Sequence, residues 1–456
     1  MDVAASPSPA PPRRAAWSWL AYEAGRTPYF TLVNIYVFAP YFTAQLVGDP
    51  VRGQAAWGYV TAAGALLVAL AGPVLGAAAD AGGRRKPWLA VATLLALPAM
   101  ALLWTARPGG GWLAAGVLVA LCSALFELSV VFHNALLTAV APPARMGRLS
   151  GLSFGLGNLV SLLVLVFFTL AMAGPRPAFG LSHADFGPER ASGLLAAAVF
   201  AAGAWPVFLL APDAPATGRA PAAAVAEGLR ALARTARSVR RHGNLVRYLV
   251  ARMVFNDGFV VILYFSGVYL GGRFGWSAGA LTTYGAAMAL AAFAGGVGGG
   301  WLDDRIGSKR TLLLAVGLVA LATVVNLTLG PTTVLGLALP ARAPGAPELT
   351  GPAEIAAVVN GALCTLGLLA GIASSRTMLA RIAPPAMLAE CFGLFALSGN
   401  AMAFLAPLLT GLVTRWTGSQ QGGLAVTLAF LAGGGLLLLG VREARDPDPS
   451  PDGAAA

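Results

Sequence analysis

A carboxyl group stands alone in an apolar run at Glu127, mid-way along residues 112–139. Removal from water disfavours the charged form of a carboxyl, so a group that meets water only part of the time can load and release a proton. Asn134 follows seven residues on, close to the same helical face, while His133 points elsewhere. A structural hydrogen bond to a neighbouring helix is the plainer role for Glu127. Glu23 and Arg26 are three apart at the start of another apolar run, and Phe30 and Asn34 continue their face. That pair suits a gate or the charged groups of an amino acid; a local ion pair near the helix end is the alternative. Farther on, four-residue spacing joins Arg252 to Asn256 and seven-residue spacing joins Asp257 to Tyr264. These predict ions that meet the Glu23–Arg26 pair and part again, or else packing and an inner-end ion pair. Asn158, Asn360 and Asn400 complete the candidate cavity residues, and Arg376 with Glu390 suits closure of an inner gate.

The elements that must position these groups are set by composition. Of 456 residues, 57% are hydrophobic and 11% charged, and the mean hydropathy is +0.73. A soluble domain carries about 25% charged residues, so lipid must be the solvent for most of this surface. Twelve apolar stretches are long enough to span, near residues 27–48, 56–79, 87–106, 112–139, 150–174, 191–211, 247–271, 278–302, 310–330, 353–379, 390–415 and 421–441. Six lie in residues 17–211 and six in 247–441. Between them, 212–246 forms the longest polar connection; 1–16 and 442–456 read as disordered tails. One set of loops and tails holds 20 of the 30 basic residues and the opposite set seven. Basic loops stay in the cytoplasm, which places both termini there, and no cleavable signal peptide precedes the first span. The net charge of +11 is thus topological and not a nucleic-acid surface. In the connection, Val225, Leu229, Leu232, Ala236 and Val239 share one helical face and Arg230, Arg234, Arg237 and Arg241 another, the pattern of a helix on an anionic leaflet.

A loop pattern occurs twice. Gly76, Asp80, Gly83, Arg85 and Lys86 fit G-x3-D-x2-G-x-[RK]-[RK], and so do Gly300, Asp304, Gly307, Lys309 and Arg310, 224 residues later. Arg84 and Arg305 add charge to the two loops. Ala141-Pro142-Pro143 recurs as Ala383-Pro384-Pro385 at an offset of 242. Two repeats in one order predict two six-span halves of parallel topology. In such loops glycine permits close helix approach, and an aspartate can face the N-terminus of a helix in the other half. Asp80 is expected to latch the eleventh helix and Asp304 the fifth, against the alternative of a plain topogenic loop.

These loops match the cytoplasmic signature of the major facilitator superfamily. Pro73 to Gly76, Gly82 to Trp88, Asn134 to Leu137, Gly147 to Gly151, Asn256-Asp257-Gly258 and Phe392 to Gly399 resemble one branch of it, the vacuole-effluxer-like, autophagy-related permeases, from about Trp17 to Val441. Three positions depart from that branch. Tyr22 to Pro28 stands where the family has an aromatic-Asp-Trp-Ala-Asn-Ser-Ala run, His133 stands in a Phe-Tyr-Asn-Ala run, and Asn400 stands where a Lys is common. The resemblance implies an all-α integral membrane protein with twelve transmembrane helices in two pseudo-symmetric six-helix bundles, a central cavity and alternating access. It suggests efflux of a small solute, an amino acid being one candidate; Glu127 suggests proton coupling, and the composition suits a bacterial inner membrane, with a eukaryotic vacuole as the alternative. Membrane lipids and a proton are the other expected partners, and a monomer the expected state. A non-transporting receptor or scaffold of the same fold is the rival. No HExxH, GxSxG or Walker sequence occurs, and the three cysteines (Cys122, Cys364, Cys391) lack metal-site spacing. No catalytic residue, cofactor or metal is expected.

Overall fold

A computed structural model describes residues 13–141, 143–213, 240–384 and 402–443, with isolated positions between 225 and 237 and between 391 and 399; the side chains of residues 77, 80, 81, 138, 143–148 and 150 lie outside it. The amphipathic stretch expected in the connection falls largely outside the described residues, as do Asn400, Glu390 and the side chain of Asp80.

The first helix, α1, runs from Arg13 to Tyr29 and continues through π turns at Phe30–Tyr36 and Phe42–Leu46 around a short helix, Phe38–Tyr41. Pro28 and Pro40 cannot donate a backbone hydrogen bond, and wider turns of this kind absorb such interruptions. The helix begins 14 residues before the expected span, so Glu23 lies ten residues, or roughly 15 Å, inside it rather than at its start. The next helices are α2 (Pro50–Gly82), α3 (Lys86–Leu102), α4 (Trp112–Ala135), α5 (Pro143–Phe167) and α6 (Gly187–Leu210). A second series follows: α7 (Gly243–Phe274), α8 (Ala278–Ile306), α9 (Ser308–Thr328), α10 (Pro352–Ile382), α11 (Leu405–Thr417) and α12 (Gln420–Leu439). A two-stranded hairpin, Thr333–Val334 with Leu337–Ala338, sits between α9 and α10. Side-chain caps start several helices: Asp49 accepts from the Arg52 amide ahead of Pro50, and Ser277 and Ser419 open α8 and α12.

Among the described residues ten of these helices are long and apolar enough to cross a membrane, all but α1 and α11. Arginines and a glutamate interrupt α1, and much of the stretch preceding α11 is outside the described residues. Leu94, Leu163, Leu321 and Leu436 are each more than half exposed (68%, 58%, 62% and 69%) on the outer faces of otherwise apolar helices. Large apolar side chains left exposed on the outer faces of so many helices need a hydrocarbon solvent.

The packing repeats. In the first series α1 lies on α6, α2 on α4, and α3 on both α4 and α6; in the second α7 lies on α12, α8 on α10, and α9 on both α10 and α12. The two series meet where α2 packs on α11 and α5 on α8. Caps repeat as well. The Asp213 carboxylate, just past α6, accepts from the Arg85 and Lys86 amides at the start of α3 (2.9 and 3.1 Å), and Lys86 Nζ reaches the Ala211 carbonyl (2.8 Å). The Glu443 carboxylate, just past α12, accepts from the Ser308 and Lys309 amides at the start of α9 (2.7 and 3.0 Å), and Lys309 Nζ reaches the Leu439 carbonyl (2.8 Å). An acid on the positive end of the helix and a lysine on a neighbour's last carbonyls follow the dipole rule. Arg442 and Glu443, expected in a loose tail, are thus held in place, the Arg442 amide donating to Asn244 Oδ1.

Candidate functional site

A cavity of about 300 Å³ lies between the two series of helices. That is the lower end of the range for small-molecule sites. The first series supplies Glu23, Arg26 and Asn158; the second supplies Tyr269, Tyr284, Asn326 and Thr365, among apolar side chains. Glu23 holds Arg26 in a two-pronged ion pair, Nε to Oε2 at 2.8 Å and Nη2 to Oε1 at 2.6 Å, and both side chains are mostly buried. The guanidinium also stands 4.9 Å from the Phe126 ring centre. The three-residue spacing read from the sequence therefore makes a real pair, deep in the helix and on the cavity wall.

A smaller hollow of about 110 Å³ is separate from the first. Glu127 from α4 lines it together with Ser123, and Asn256 and Tyr264 from α7 face them. The structure brings together those three expected residues across the two series, in a hollow that Glu23 and Arg26 do not line.

Other expected residues fall elsewhere. Asn134 is exposed and lines neither space. It shares the face of Glu127, but seven residues displace it about 10 Å along the axis, to the last turn of α4. Asn34 is buried behind the hollow, where it accepts from Ser123 Oγ (3.4 Å). Asn360 donates to the Ala322 carbonyl and to Asn326 Oδ1 (3.0 and 2.9 Å), so it holds the asparagine that reaches the cavity. The expected ion network of the seventh span is not formed among the described residues. Arg252 stacks 3.5 Å over Phe395 and donates to its carbonyl (2.5 Å), within its own series. Asp257 is buried, and its Oδ1 has no hydrogen-bond partner among the described residues. Arg376 and Glu23 lie within electrostatic reach of one another across the series.

The second loop of the repeat departs by one residue from its expected use. Asp303, not Asp304, is the buried carboxylate: it accepts from Ser308 Oγ (2.8 Å) and Thr377 Oγ1 (2.6 Å) and pairs with Arg381 (3.0 Å). Asp304 is exposed. Gly299, four residues before Asp303, supplies the close approach to α10: a Cβ there would lie 2.6 Å from Ala370 Cα, whereas one on Gly300 would meet nothing within 4 Å. One residue is about 100° on a helix, so the pair 299/303 faces the neighbour and 300/304 faces away. Arg305 lies 3.7 Å over Trp301 and Arg310 is exposed. Gly76 makes only ordinary contact, Cβ to Val131 at 3.8 Å. Gly83 and Gly307 do match, with φ of 81° and 90°, a region that favours glycine. Arg84 bonds nothing described, while Arg85 Nη1 donates to the Ala135 carbonyl (2.7 Å). Among the described residues, the side-chain hydrogen bonds of Arg85, Lys86 and Lys309 to carbonyls lie inside their own series.

The contacts that join the series lie at the opposite end from these loops. Gln54 Nε2 donates to Thr414 Oγ1 and the Gln420 carbonyl (both 2.9 Å), Gln420 Nε2 to the Pro50 carbonyl (3.2 Å), and Trp57 Nε1 to the Tyr264 carbonyl (3.3 Å). The Thr169 and Thr282 hydroxyls meet at 2.5 Å. Gly58 and Gly411 let α2 and α11 touch, since a Cβ on Gly58 would lie 2.8 Å from Gly411 Cα. Among the described residues these are the hydrogen bonds between the series, so the molecule is closed at the Gln54 end.

Sequence reasoning missed His133. It is wholly buried between the rings of Trp19 (4.5 Å, 10°) and Tyr22 (4.6 Å, 21°), with Nδ1 3.6 Å from Glu23 Oε2. A histidine in an apolar span was the available signal; its partners sit on another helix, 110 to 114 residues away.

Comparison with solved structures gives the fold. The nucleoside transporter NupG matches at 13% identity and TM-score 0.65, covering 93% of this chain and 98% of that one. A D-xylose-proton symporter matches at 13% and 0.65 (94% and 95%), and a POT family transporter in complex with 5-aminolevulinic acid at 12% and 0.63 (94% and 95%). A curated relative from Bacillus subtilis (strain 168), the uncharacterized MFS-type transporter YxiO, is 22% identical over 442 residues, 95% of this chain and 96% of its own length. The model of the family described as vacuole effluxer Atg22-like matches residues 43–446. The chain therefore belongs to the vacuole effluxer Atg22-like family, within the major facilitator superfamily of transporters.

Proposed function

We propose that this protein is a secondary active transporter that moves a small solute by alternating access between two six-helix bundles of twelve membrane-spanning helices. The single observation that carries the reading is the cavity between the two series of helices, with the Glu23–Arg26 pair on its wall and, among the described residues, hydrogen bonds between the series at one end only. A site walled by both halves changes its access when the halves rock. An acid and a base side by side suit a solute with opposite charges, an amino acid first. With both termini in the cytoplasm of a bacterial inner membrane, the closed end faces outward. The family description supports efflux. Protons couple the cycle through Glu127, which faces Asn256 and Tyr264 of the other series. The protein works as a monomer among lipids, and it is not an enzyme.

The test is a solute screen by thermal stabilisation, followed by flux of each hit in proteoliposomes with and without a pH gradient. The proposal expects flux that a gradient accelerates and that Glu127→Gln uncouples. Gradient-driven flux unchanged in Glu127→Gln removes that residue as the carrier. Stabilisation without flux favours the receptor reading instead.

A further inference from the structure

Glu23 is contacted by two groups that cannot both be satisfied by it in one protonation state. On one side Arg26 donates two hydrogen bonds to it. On the other, His133 Nδ1 stands 3.6 Å from Oε2. The tautomer of His133 follows from its other nitrogen. Nε2 lies 3.0 Å from the Trp19 carbonyl, which can only accept, so Nε2 carries the hydrogen and Nδ1 of the neutral ring is an acceptor. Nδ1 has no hydrogen-bond partner among the described residues and is fully buried. Two acceptors, Nδ1 and a carboxylate oxygen, thus face each other where one proton would join them. The ring cannot turn away. It is clamped between Trp19 and Tyr22, and Trp19 Nε1 donates back to the His133 carbonyl at 2.8 Å.

We infer that Glu23 and His133 form a proton-binding site for which Arg26 is the competitor, distinct from Glu127. While Arg26 holds Glu23, the ion pair is complete and the proton stays out. When an anionic group of the solute draws the guanidinium into the cavity, both hydrogen bonds to Glu23 break. One proton from the water-filled side then binds between Oε2 and Nδ1. The solute anion is neutralised by Arg26 and the Glu23 charge by the proton. Anionic group and proton therefore bind together. This coupling rests on the transport reading above; the proton competition does not.

Of the other groups around the pair, Glu127 is the one that also takes up a proton in the transport reading, and the Glu23→Gln variant below separates the two. From α1 itself Tyr22 lies beneath the imidazole, its hydroxyl bonded to Thr93 of α3. On α4, Glu127 is within electrostatic reach of both Glu23 and Arg26. α6 presents Phe200 to Tyr22, and α5 presents Gly157 beside the Glu23 backbone. From the second series Arg376 adds one distant positive charge.

The experiment is ring-15N histidine NMR on the full chain in lipid nanodiscs, titrated over about pH 5 to 8, where a histidine ordinarily changes charge. His183 and His242 serve as references. In the parent protein the His133 signals stay those of a neutral ring. In Arg26→Gln the pair binds a proton at least about tenfold more tightly, as loss of an adjacent opposite charge requires, and the His133 signals move toward those of a protonated ring at the acid end of the range. Glu23→Gln added to Arg26→Gln returns it to neutral. Arg26→Lys, which keeps the cation and one hydrogen bond, gives an intermediate midpoint and guards against misfolding of the first variant. His133 signals identical in all four proteins, or a titration that persists without Glu23, would overturn the inference. Failure of solute flux with this titration intact would count against the transport reading alone.

Discussion

Adjacent aspartates at the end of α8 give a sharp test of which face the repeated loop uses. Asp303 is buried and receives three contacts: Ser308 Oγ at 2.8 Å, Thr377 Oγ1 at 2.6 Å and Arg381 Nη2 at 3.0 Å. Removing one partner of a fully buried ion pair costs about 3–5 kcal/mol. Three features lower that figure in Asp303→Ala. Arg381 is 34% exposed and retains Glu443 (2.7 Å), and the Thr377 hydroxyl can turn its one hydrogen to the Ser374 carbonyl (3.0 Å). What remains is one or two charge-assisted hydrogen bonds, each about 1.5–3 kcal/mol, so the expected loss is about 2–3 kcal/mol. Asp304→Ala, at an exposed position, should stay within about 0.5 kcal/mol of the parent. Both variants would be unfolded by denaturant titration in detergent, with thermal melts as a second reading. Equal losses, or a larger loss from Asp304→Ala, would refute the assignment of the inward face to 299 and 303.

Further tests address the closed end and the tail. Gly58→Val should force α2 and α11 apart, because even a Cβ there lies 2.8 Å from Gly411 Cα; a Thr414→Cys probe should then react faster with an impermeant maleimide, whereas Gly155→Val, with open space around it, should change nothing. Glu443 gives an acid dependence. Burial raises its pKa, but the hydrogen bond from Arg381 and those from the Lys309 and Ser308 amides outweigh it and leave the value below the usual range. Its stabilisation is complete above the unfolded value and is lost as pH falls through the folded one. Melting temperature should therefore drop on acidification below about pH 4.3, the ordinary glutamate value, and Glu443→Gln should flatten that drop; a slope unchanged in Glu443→Gln would remove Glu443 as its source.

The spacing of polar residues was a good guide along a helix and a poor one between helices. Glu23 and Arg26 pair as their three-residue separation implies, since one helix fixes both side chains. Asn134 was misjudged because periodicity gives the angle around an axis, not whether the cavity extends that far along it. The loop repeat was read from pattern alone and located the turn glycines, Gly83 and Gly307. It chose Asp304 over Asp303 because adjacent identical residues differ only in which neighbour their face meets.

Hydropathy and charge placement by themselves determined a helical membrane protein, because in lipid the backbone satisfies its hydrogen bonds only in helices or closed barrels, and apolar runs of about 20 residues are too long for barrel strands. The repeated loop determined that its parts recur in order. Tertiary packing alone decided that His133 meets Glu23 across 110 residues of chain, that Glu127 and Arg26 occupy separate spaces, and that the molecule closes at Gln54. Each of these depends on how one helix is rotated and set against another, and that rotation is fixed by the summed fit of many apolar contacts that no local stretch of sequence contains.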